Sequence, residues 1–443
     1  MKLKIFGEVA VNLFLAILFP VLLYISVYYQ GFFIWFAFTP VVILALRKGL
    51  LKFWLYIIPV VILFSFFALN FIKTFNFNYF VLAVVAVFFI FISIFTLSWL
   101  LLHKIRPAIS VFAFPVVWVV LTNIINMVMS ESNMFFDVAC LQPMLFPLTW
   151  LVGSQGITFL IMLVNSLIAF FIVFKNKKVL LSLMIIFLVT LACFVYSNFS
   201  VPTGRKIKVA LIQANINEDW VWRQDNADST ILEKYKNLSL EAAKSKPDII
   251  VWPEYAIPTD IMLNQDLYNA ISKIAKETNA YLVLGSLANP ENAQNIDPSA
   301  TPIKNLSYIF SRSGDLIGSY TSVLPFQYNG LIIPGNTLPV FGTEIGKIGI
   351  TACIEENSPF INRSYTKDGA NLLINLSNDA VIRDQKVMVL KSKHSRASAS
   401  ENHRYLLRVA NTGVTEVVNP YGKVEAKLDI NKEGILLADI YIK

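Results

Sequence analysis

The chain has 443 residues and a net charge of +8, from 37 basic and 29 acidic side chains. Hydrophobic residues make up 56% of it and charged residues 15%, with a mean hydropathy of +0.60, which excludes an ordinary soluble protein. The positive excess fits cytoplasmic loops of a membrane protein. No basic run is interleaved with aromatics in the polar half, so nucleic-acid binding is excluded.

The average conceals two halves. Up to about Asn198 the chain is almost wholly apolar, and from about Lys206 it has a globular composition. Residues 1–199 are therefore expected to form a transmembrane helical domain and residues 206–443 a second, extracytoplasmic one. Seven apolar runs approach or exceed the length that crosses a bilayer, at roughly 8–28, 31–46, 52–72, 79–102, 108–129, 144–174 and 179–197. The sixth is over-long, and Gly153 and Gly156 mark a break within it. No small-residue cleavage site follows the first run, which reads as a span and not a cleaved leader.

Lys2, Lys4, Arg47, Lys48, Lys52, Lys104, Arg106, Lys175, Lys177 and Lys178 fall in alternate loops, whereas the opposite loops carry Lys73, Glu131 and Asp137. Positive charge stays inside, so the N-terminus is expected in the cytoplasm and the polar half outside. Charges within the spans are nearly absent, against a proton-driven transporter or a channel. Segment Ser130–Pro143, with Met134, Phe135, Phe136 and Leu141, is an apolar outer stretch that lines a lipid entry or simply packs at the interface.

In the second half, Ile207–Gln213 reads as a strand, Ser229–Lys244 as a helix, and Asp248–Trp252 as a buried strand that Pro253 ends, releasing Glu254. A helix over about Leu267–Thr278, a strand over Tyr281–Gly285 and a hairpin over Asn305–Tyr320 follow. The central strand Gly346–Ala352 then runs into Cys353, Ile354, Glu355 and Glu356. Beyond it come a strand over Ala370–Leu376, a long helix from about Gln385 to Val409, and a hairpin over Gly413–Ile430 turning at Asn419–Gly422. Strands alternating with helices imply an α/β sheet covered by helices.

Glu254 and Cys353 both leave the ends of apolar strands, expected in one sheet where they can meet. A thiol is a poor nucleophile until a base takes its proton, and a carboxylate in a dry pocket can take and return it. Cysteine with glutamate therefore suffices for acyl transfer through a thioester. Cys193 reads as an apolar helix residue, and Cys140 pairs with Cys353 only if the fold brings them together.

Val251-Trp252-Pro253-Glu254 resembles the glutamate motif of the nitrilase (carbon–nitrogen hydrolase) superfamily, and Ala352-Cys353-Ile354-Glu355 resembles its cysteine motif. With apolar spans in front, the chain is similar to the membrane branch of that superfamily, the apolipoprotein N-acyltransferase family. The likeness extends through Gln155–Leu160, Asn305, Leu324-Pro325-Phe326, Asn375–Asp379, Arg404 and Arg408–Gly413. It implies a polytopic α-helical membrane domain followed by a nitrilase-like αββα sandwich. It further implies a phospholipid acyl donor, a lipoprotein N-terminus as acceptor, no cofactor or metal, a monomer, and a place in the bacterial inner membrane. The roles carried over are Glu254 as general base, Cys353 as nucleophile and Glu355 as supporting carboxylate.

Two departures accompany the likeness. Where the family places a catalytic lysine, Gly318–Tyr328 offers Tyr320 or Ser322, and Lys347 on the cysteine's own strand is a possible substitute. No further apolar span follows the second half. The missing lysine motivates an alternative, an inactive membrane-anchored protein that binds lipid or lipoprotein. Hydrolysis of a small amide, as in soluble relatives, is a third reading that leaves the spans without a purpose.

Overall fold

The structure is a computed structural model that describes residues 2–74, 77–128, 136–216, 227–288, 303–325, 332–380 and 382–443. It divides into two compact units, Met1–Phe199 and Ser200–Lys443. Part of the apolar outer stretch, Ser130–Phe135, and the segment Phe326–Tyr328 lie outside the described residues.

The first unit is helical: α1 (Lys2–Tyr28), α2 (Ile34–Ala37), α3 (Thr39–Arg47), α4 (Leu50–Ala68), α5 (Phe77–Lys104), α6 (Pro107–Ser110), α7 (Ala113–Val128), α8 (Thr149–Phe174) and α9 (Lys178–Phe199). Five helical stretches among the described residues are long and apolar enough to cross a membrane, and Gly31–Arg47 and Ala113–Ile125 are shorter apolar ones. Aromatic rings fill the interior, with Phe19, Phe38, Phe95, Phe114 and Trp118 buried against one another.

An apolar interior leaves no solvent to satisfy a broken helix. The break between α2 and α3 is satisfied by Asn165 of α8. Its Oδ1 accepts from the backbone N–H groups of Phe38 and Thr39, each at 2.9 Å, and its amide donates to the Ile34 carbonyl at 2.9 Å. The break expected in the sixth run is at Gly153, whose φ of 65° and ψ of 173° interrupt α8. Phe136, Cys140 and Leu141 of the outer stretch are buried, with Phe136 against Phe91 and Trp118, so this part packs inside the unit.

The second unit is built on two six-stranded sheets. One has the order β12-β1-β2-β3-β4-β5 and the other β11-β10-β9-β8-β7-β6. The strands are β1 (Arg205–Gln213), β2 (Ile249–Val251), β3 (Tyr281–Ala288), β4 (Lys304–Phe310), β5 (Leu316–Thr321), β6 (Val340–Thr343), β7 (Gly346–Ala352), β8 (Leu372–Ser377), β9 (Tyr405–Ala410), β10 (Thr415–Val418), β11 (Val424–Leu428) and β12 (Gly434–Ile442). Val209, Leu211, Ile249 and Val283 of the first sheet meet Ile348, Ile350, Ile374 and Leu407 of the second in one core.

Helices cover both outer faces. Ile231 and Tyr235 of α10 (Ala227–Ala243) and Ile271 and Ile274 of α11 (Gln265–Thr278) close over Ile212, Trp252 and Leu284. Ile361 and Tyr365 of α12 (Pro359–Lys367) and Ala399 of α13 (Gln385–Asn402) close over Leu373 and Leu406. This is the αββα layering that the resemblance implies. The central strands β2, β8 and β9 are buried at every residue, as parallel strands covered on both faces must be.

Three sequence expectations need correction. Glu254 and Cys353 belong to facing sheets, not to one, because β2 pairs with β1 and β3 while β7 pairs with β6 and β8. The helix expected to run from Gln385 to Val409 stops at Asn402. His403 takes a left-handed φ of 53°, and the Arg404 N–H bonds back to the Ala399 carbonyl, a helix-ending turn. The apolar run after it, Tyr405–Ala410, then pairs in parallel with β8. The third is a strand beyond the elements expected from the sequence: β12 pairs antiparallel with β1 over its whole length, from Arg205↔Ile442 to Gln213↔Gly434.

Candidate active site

The ends of β2 and β7 both turn sharply through left-handed backbone. Tyr255, immediately after Glu254, has φ 54°, and Cys353 itself has φ 51°. Such conformations cost a non-glycine residue on the order of 1–3 kcal/mol, and they concentrate where a side chain must be aimed. Gly285 permits the first turn: a Cβ there would lie 2.6 Å from the Glu254 Cα and 2.8 Å from the Pro253 carbonyl oxygen. Cys353 opens a short 3-10 turn, Cys353–Asn357, and is partly exposed. Cys140 and Cys193 are buried, and all three cysteines are free.

Glu254 is only 3% exposed. Its Oε1 accepts from the Asn305 side-chain amide and its Oε2 from the Asn378 backbone N–H, both at 2.7 Å. Burial pushes the carboxyl up to about 7, against the opposing pull of Lys391, the two amide donors and the Cys353 thiol. The thiol itself is pushed up to about 12, by burial first and by the Glu254 charge second, with Lys391 opposing. The resting proton therefore sits on sulfur, beside a carboxylate able to receive it. Asn375 of β8 donates to the Cys353 carbonyl at 3.2 Å and to Thr351 Oγ1 at 3.1 Å, fixing the turn that bears the thiol.

Glu355 faces a different set of partners. Its Oε1 accepts from Tyr320 OH and Ser322 Oγ at 2.8 Å and from the Val323 and Leu324 N–H groups at 2.7 and 2.9 Å; its Oε2 accepts from the Ala352 N–H at 2.7 Å. It ties the end of β5 to the end of β7. The two residues at the family's lysine slot, Tyr320 and Ser322, are thus both engaged on this carboxylate.

A buried lysine from another element lies beside the thiol. Lys391 on α13 is buried, with Nζ 2.7 Å from Asp379 Oδ1, 2.8 Å from Ser377 Oγ and 3.2 Å from Cys353 Sγ. Lys347 is exposed at the start of β7, about 20 Å of extended strand from Cys353. A signal for Lys391 existed: Val387, Lys391, Ser395 and Ser398 share one face at helical spacing, and all four are buried. The other oxygen of Asp379 accepts from Arg408 Nη2 at 2.9 Å, and Arg408 also pairs with Glu356 at 2.9 Å, to which Ser395 donates.

Burial alone would raise the Asp379 carboxyl, but Arg408 and Lys391 outweigh it and hold the group well below the carboxylate range. Burial alone would lower Lys391, but Asp379 and the Cys353 sulfur outweigh it and keep the ammonium charged. Among the described residues no cluster of three or more His, Cys, Asp and Glu side chains could hold a metal ion.

The chain is 28% identical over 319 residues to an apolipoprotein N-acyltransferase of Geobacter metallireducens, an alignment covering 65% of this chain and 60% of that protein. It is 26% identical over 306 residues to the apolipoprotein N-acyltransferase of Aquifex aeolicus, covering 64% and 66%. The chain thus spans about 60% of the length of the curated relatives it matches. Among solved structures it resembles a carbon–nitrogen hydrolase from Helicobacter pylori G27, at 18% identity and a TM-score of 0.44 over 53% of this chain and 89% of that one. An amidase from Nesterenkonia sp. gives 18% identity and a TM-score of 0.43 over 55% and 94%. The carbon–nitrogen hydrolase family model matches residues 208–443, from β1 to the end of β12 and so through both sheets and every group around Cys353. On that match, the chain belongs to the carbon–nitrogen hydrolase family.

Proposed function

We propose that the chain is an integral membrane N-acyltransferase. It takes an acyl chain from a phospholipid onto Cys353 and passes it to the N-terminal amine of diacylglyceryl-cysteine on an apolipoprotein. The observation that carries this reading is the meeting of Glu254 and Cys353 across the two sheets, in a chain whose first unit has five membrane-length helices. The relatives named apolipoprotein N-acyltransferase support the choice of acceptor and the membrane setting.

In this reading Cys353 Sγ attacks the donor's ester carbonyl while its proton passes to Glu254. The tetrahedral adduct collapses with cleavage of the ester C–O bond, and Glu254 returns the proton to the departing lysophospholipid oxygen. The acceptor amine then attacks the thioester and gives up a proton to Glu254, and the thiolate leaves. Glu355 supports the site by bracing the turn that carries Cys353. Loops rich in Lys and Arg keep the N-terminus cytoplasmic, and with the two shorter apolar helices counted as crossings the catalytic unit lies outside. The enzyme acts as a monomer in the bacterial inner membrane.

Purified chain incubated with a phospholipid carrying a labelled acyl group is expected to form a hydroxylamine-sensitive adduct on Cys353, found by peptide mass spectrometry. Lipoproteins from a deletion strain are expected to lose N-acylation. No adduct, together with unchanged lipoprotein N-termini, would end the reading and favour an inactive lipid-binding protein.

A further inference from the structure

An ammonium group has three protons to donate and no acceptor capacity. At Lys391 all three have destinations: Asp379 Oδ1 at 2.7 Å, Ser377 Oγ at 2.8 Å and Cys353 Sγ at 3.2 Å. Two legs of this tripod anchor the cation to the last residue of β8 and the turn after it, and the third reaches the sulfur. The groups at the family's lysine slot cannot take this place, since Tyr320 and Ser322 both donate to Glu355. We infer that Lys391 is a catalytic residue of this chain: the counter-ion of the Cys353 thiolate, delivered from helix α13 and held by Asp379 as positioning residue. It does not serve as a donor to the substrate's carbonyl oxygen.

Charge balance around it favours this assignment. Lys391 and Arg408 face Asp379 and Glu356, two buried cations against two buried carboxylates, so these four balance one another and Glu254 is a further carboxyl beside the thiol. The charged and titratable groups facing Cys353 are Glu254, Lys391 and Asp379; those facing Lys391 are Asp379, Cys353, Glu356, Arg408 and Glu254. Glu254 and Asp379 both oppose a negative sulfur, and Lys391 is the one nearby cation among them that favours it. An opposite charge this close stabilises the ionised form.

Lys391 keeps its three protons throughout the cycle that the proposed acyl transfer requires, on which its catalytic use rests. During acylation the S–H proton goes to Glu254 as the sulfur–carbon bond forms. During transfer to the amine the carbon–sulfur bond breaks, its electron pair stays on sulfur beside the ammonium, and the proton lost by the amine returns through Glu254 to the thiolate. The second half should depend on Lys391 more than the first, because there the thiolate is the leaving group.

The test is the rate of Cys353 alkylation by iodoacetamide as a function of pH, read by peptide mass spectrometry on the full chain in detergent. Lys391→Met should slow alkylation at pH 8 by about tenfold or more and lower the whole rising limb of the profile by the same factor, because the thiolate fraction falls at every accessible pH. Lys391→Arg should restore most of the difference. The double variant Asp379→Asn/Lys391→Met keeps the buried set balanced, so if the single variant does not fold it reports a slowing in the same direction, smaller because Asp379 itself opposes a negative sulfur. A merely structural lysine would lower the melting temperature of these variants and leave the profile of the folded fraction where it was, and that result overturns the inference.

Alkylation needs no acyl donor, so the two proposals fail separately. A profile shifted by Lys391→Met, with a wild-type chain that never acquires an acyl group, keeps the inference and removes the proposed function. An unshifted profile in an active enzyme does the reverse. In the acyl-transfer assay Lys391→Met should accumulate acyl-enzyme, its transfer step slowed more than its acylation.

Discussion

Two buried carboxylates in the same unit show how surroundings divide labour. Glu355 is fully buried and receives five hydrogen bonds, three of them from backbone N–H groups that can only donate. Every partner belongs to a strand end or the turn beside it, and none is a reacting group. Glu254 is almost as buried, yet it receives two amide hydrogen bonds and has a thiol and a lysine as its other neighbours. Burial raises both carboxyls, and only the second lies where a proton has somewhere to come from. The first carboxylate holds two segments in place, and the second is set to move a proton.

Replacing each acid should separate these roles. Glu254→Gln keeps the shape and cannot accept a proton. It should slow acyl-enzyme formation by about 10²–10⁴-fold, the usual range for a lost general base, with the melting temperature undiminished. Single-turnover mass spectrometry checks it; a loss below about tenfold would make the thiol's base some other group.

Glu355→Ala should do the opposite. It leaves Val323, Leu324 and Ala352 N–H groups and two hydroxyls without their acceptor in a buried place. Each unsatisfied buried donor costs roughly 1–3 kcal/mol, so a loss of more than about 3 kcal/mol is expected after relaxation. Denaturant unfolding of the purified chain measures it, and activity should fall because the turn at Cys353 is released.

The third way to sharpen the contrast is pH. The folded chain holds the Glu254 proton up to about 7, above the ordinary 4.5. A raised acid adds stability below its unfolded value and loses it as pH climbs through the folded one. The loss for this group is therefore expected between about pH 4.5 and 7, and amounts to about 3 kcal/mol. Glu254→Gln cannot ionise, so its melting temperature relative to wild type should rise from pH 5 to pH 8. The rate of acylation should rise over the same interval, since only the ionised carboxylate serves as base.

Both acids were legible in the sequence, and for local reasons. Pro253 ends its strand and Cys353 follows the mostly apolar run Ile348–Ala352, so Glu254, Cys353 and Glu355 announce themselves as strand-end groups. What pairs with what was not legible. Nothing in the run Ile249–Val251 or in Ile348–Ala352 says that the strands lie in facing sheets, because sheet membership is decided by partners such as β12, far away in the chain. Lys391 was hidden for a related reason. It lies inside a window read as helix, on the buried stripe, but its three acceptors come from segments 12, 14 and 38 residues away. The boundary after Asn402 was missed because Tyr405–Ala410 suits helix and strand alike until β8 offers it a parallel ladder.

The finest test concerns one of the five bonds to Glu355. Tyr320 is buried, with its hydroxyl 2.8 Å from Oε1 and its ring 6.2 Å from that of Tyr365. Tyr320→Phe removes the donor and keeps the ring, so packing is preserved and no buried group is left unpaired, because four donors still serve the carboxylate. The expected cost is about 1 kcal/mol, the net worth of one buried hydrogen bond to an acceptor already well supplied. It should lower stability slightly and leave the alkylation profile of Cys353 unmoved. A shift in that profile would mean that Glu355 reaches the thiol's chemistry through Tyr320, and the division between the two acids would have to be redrawn.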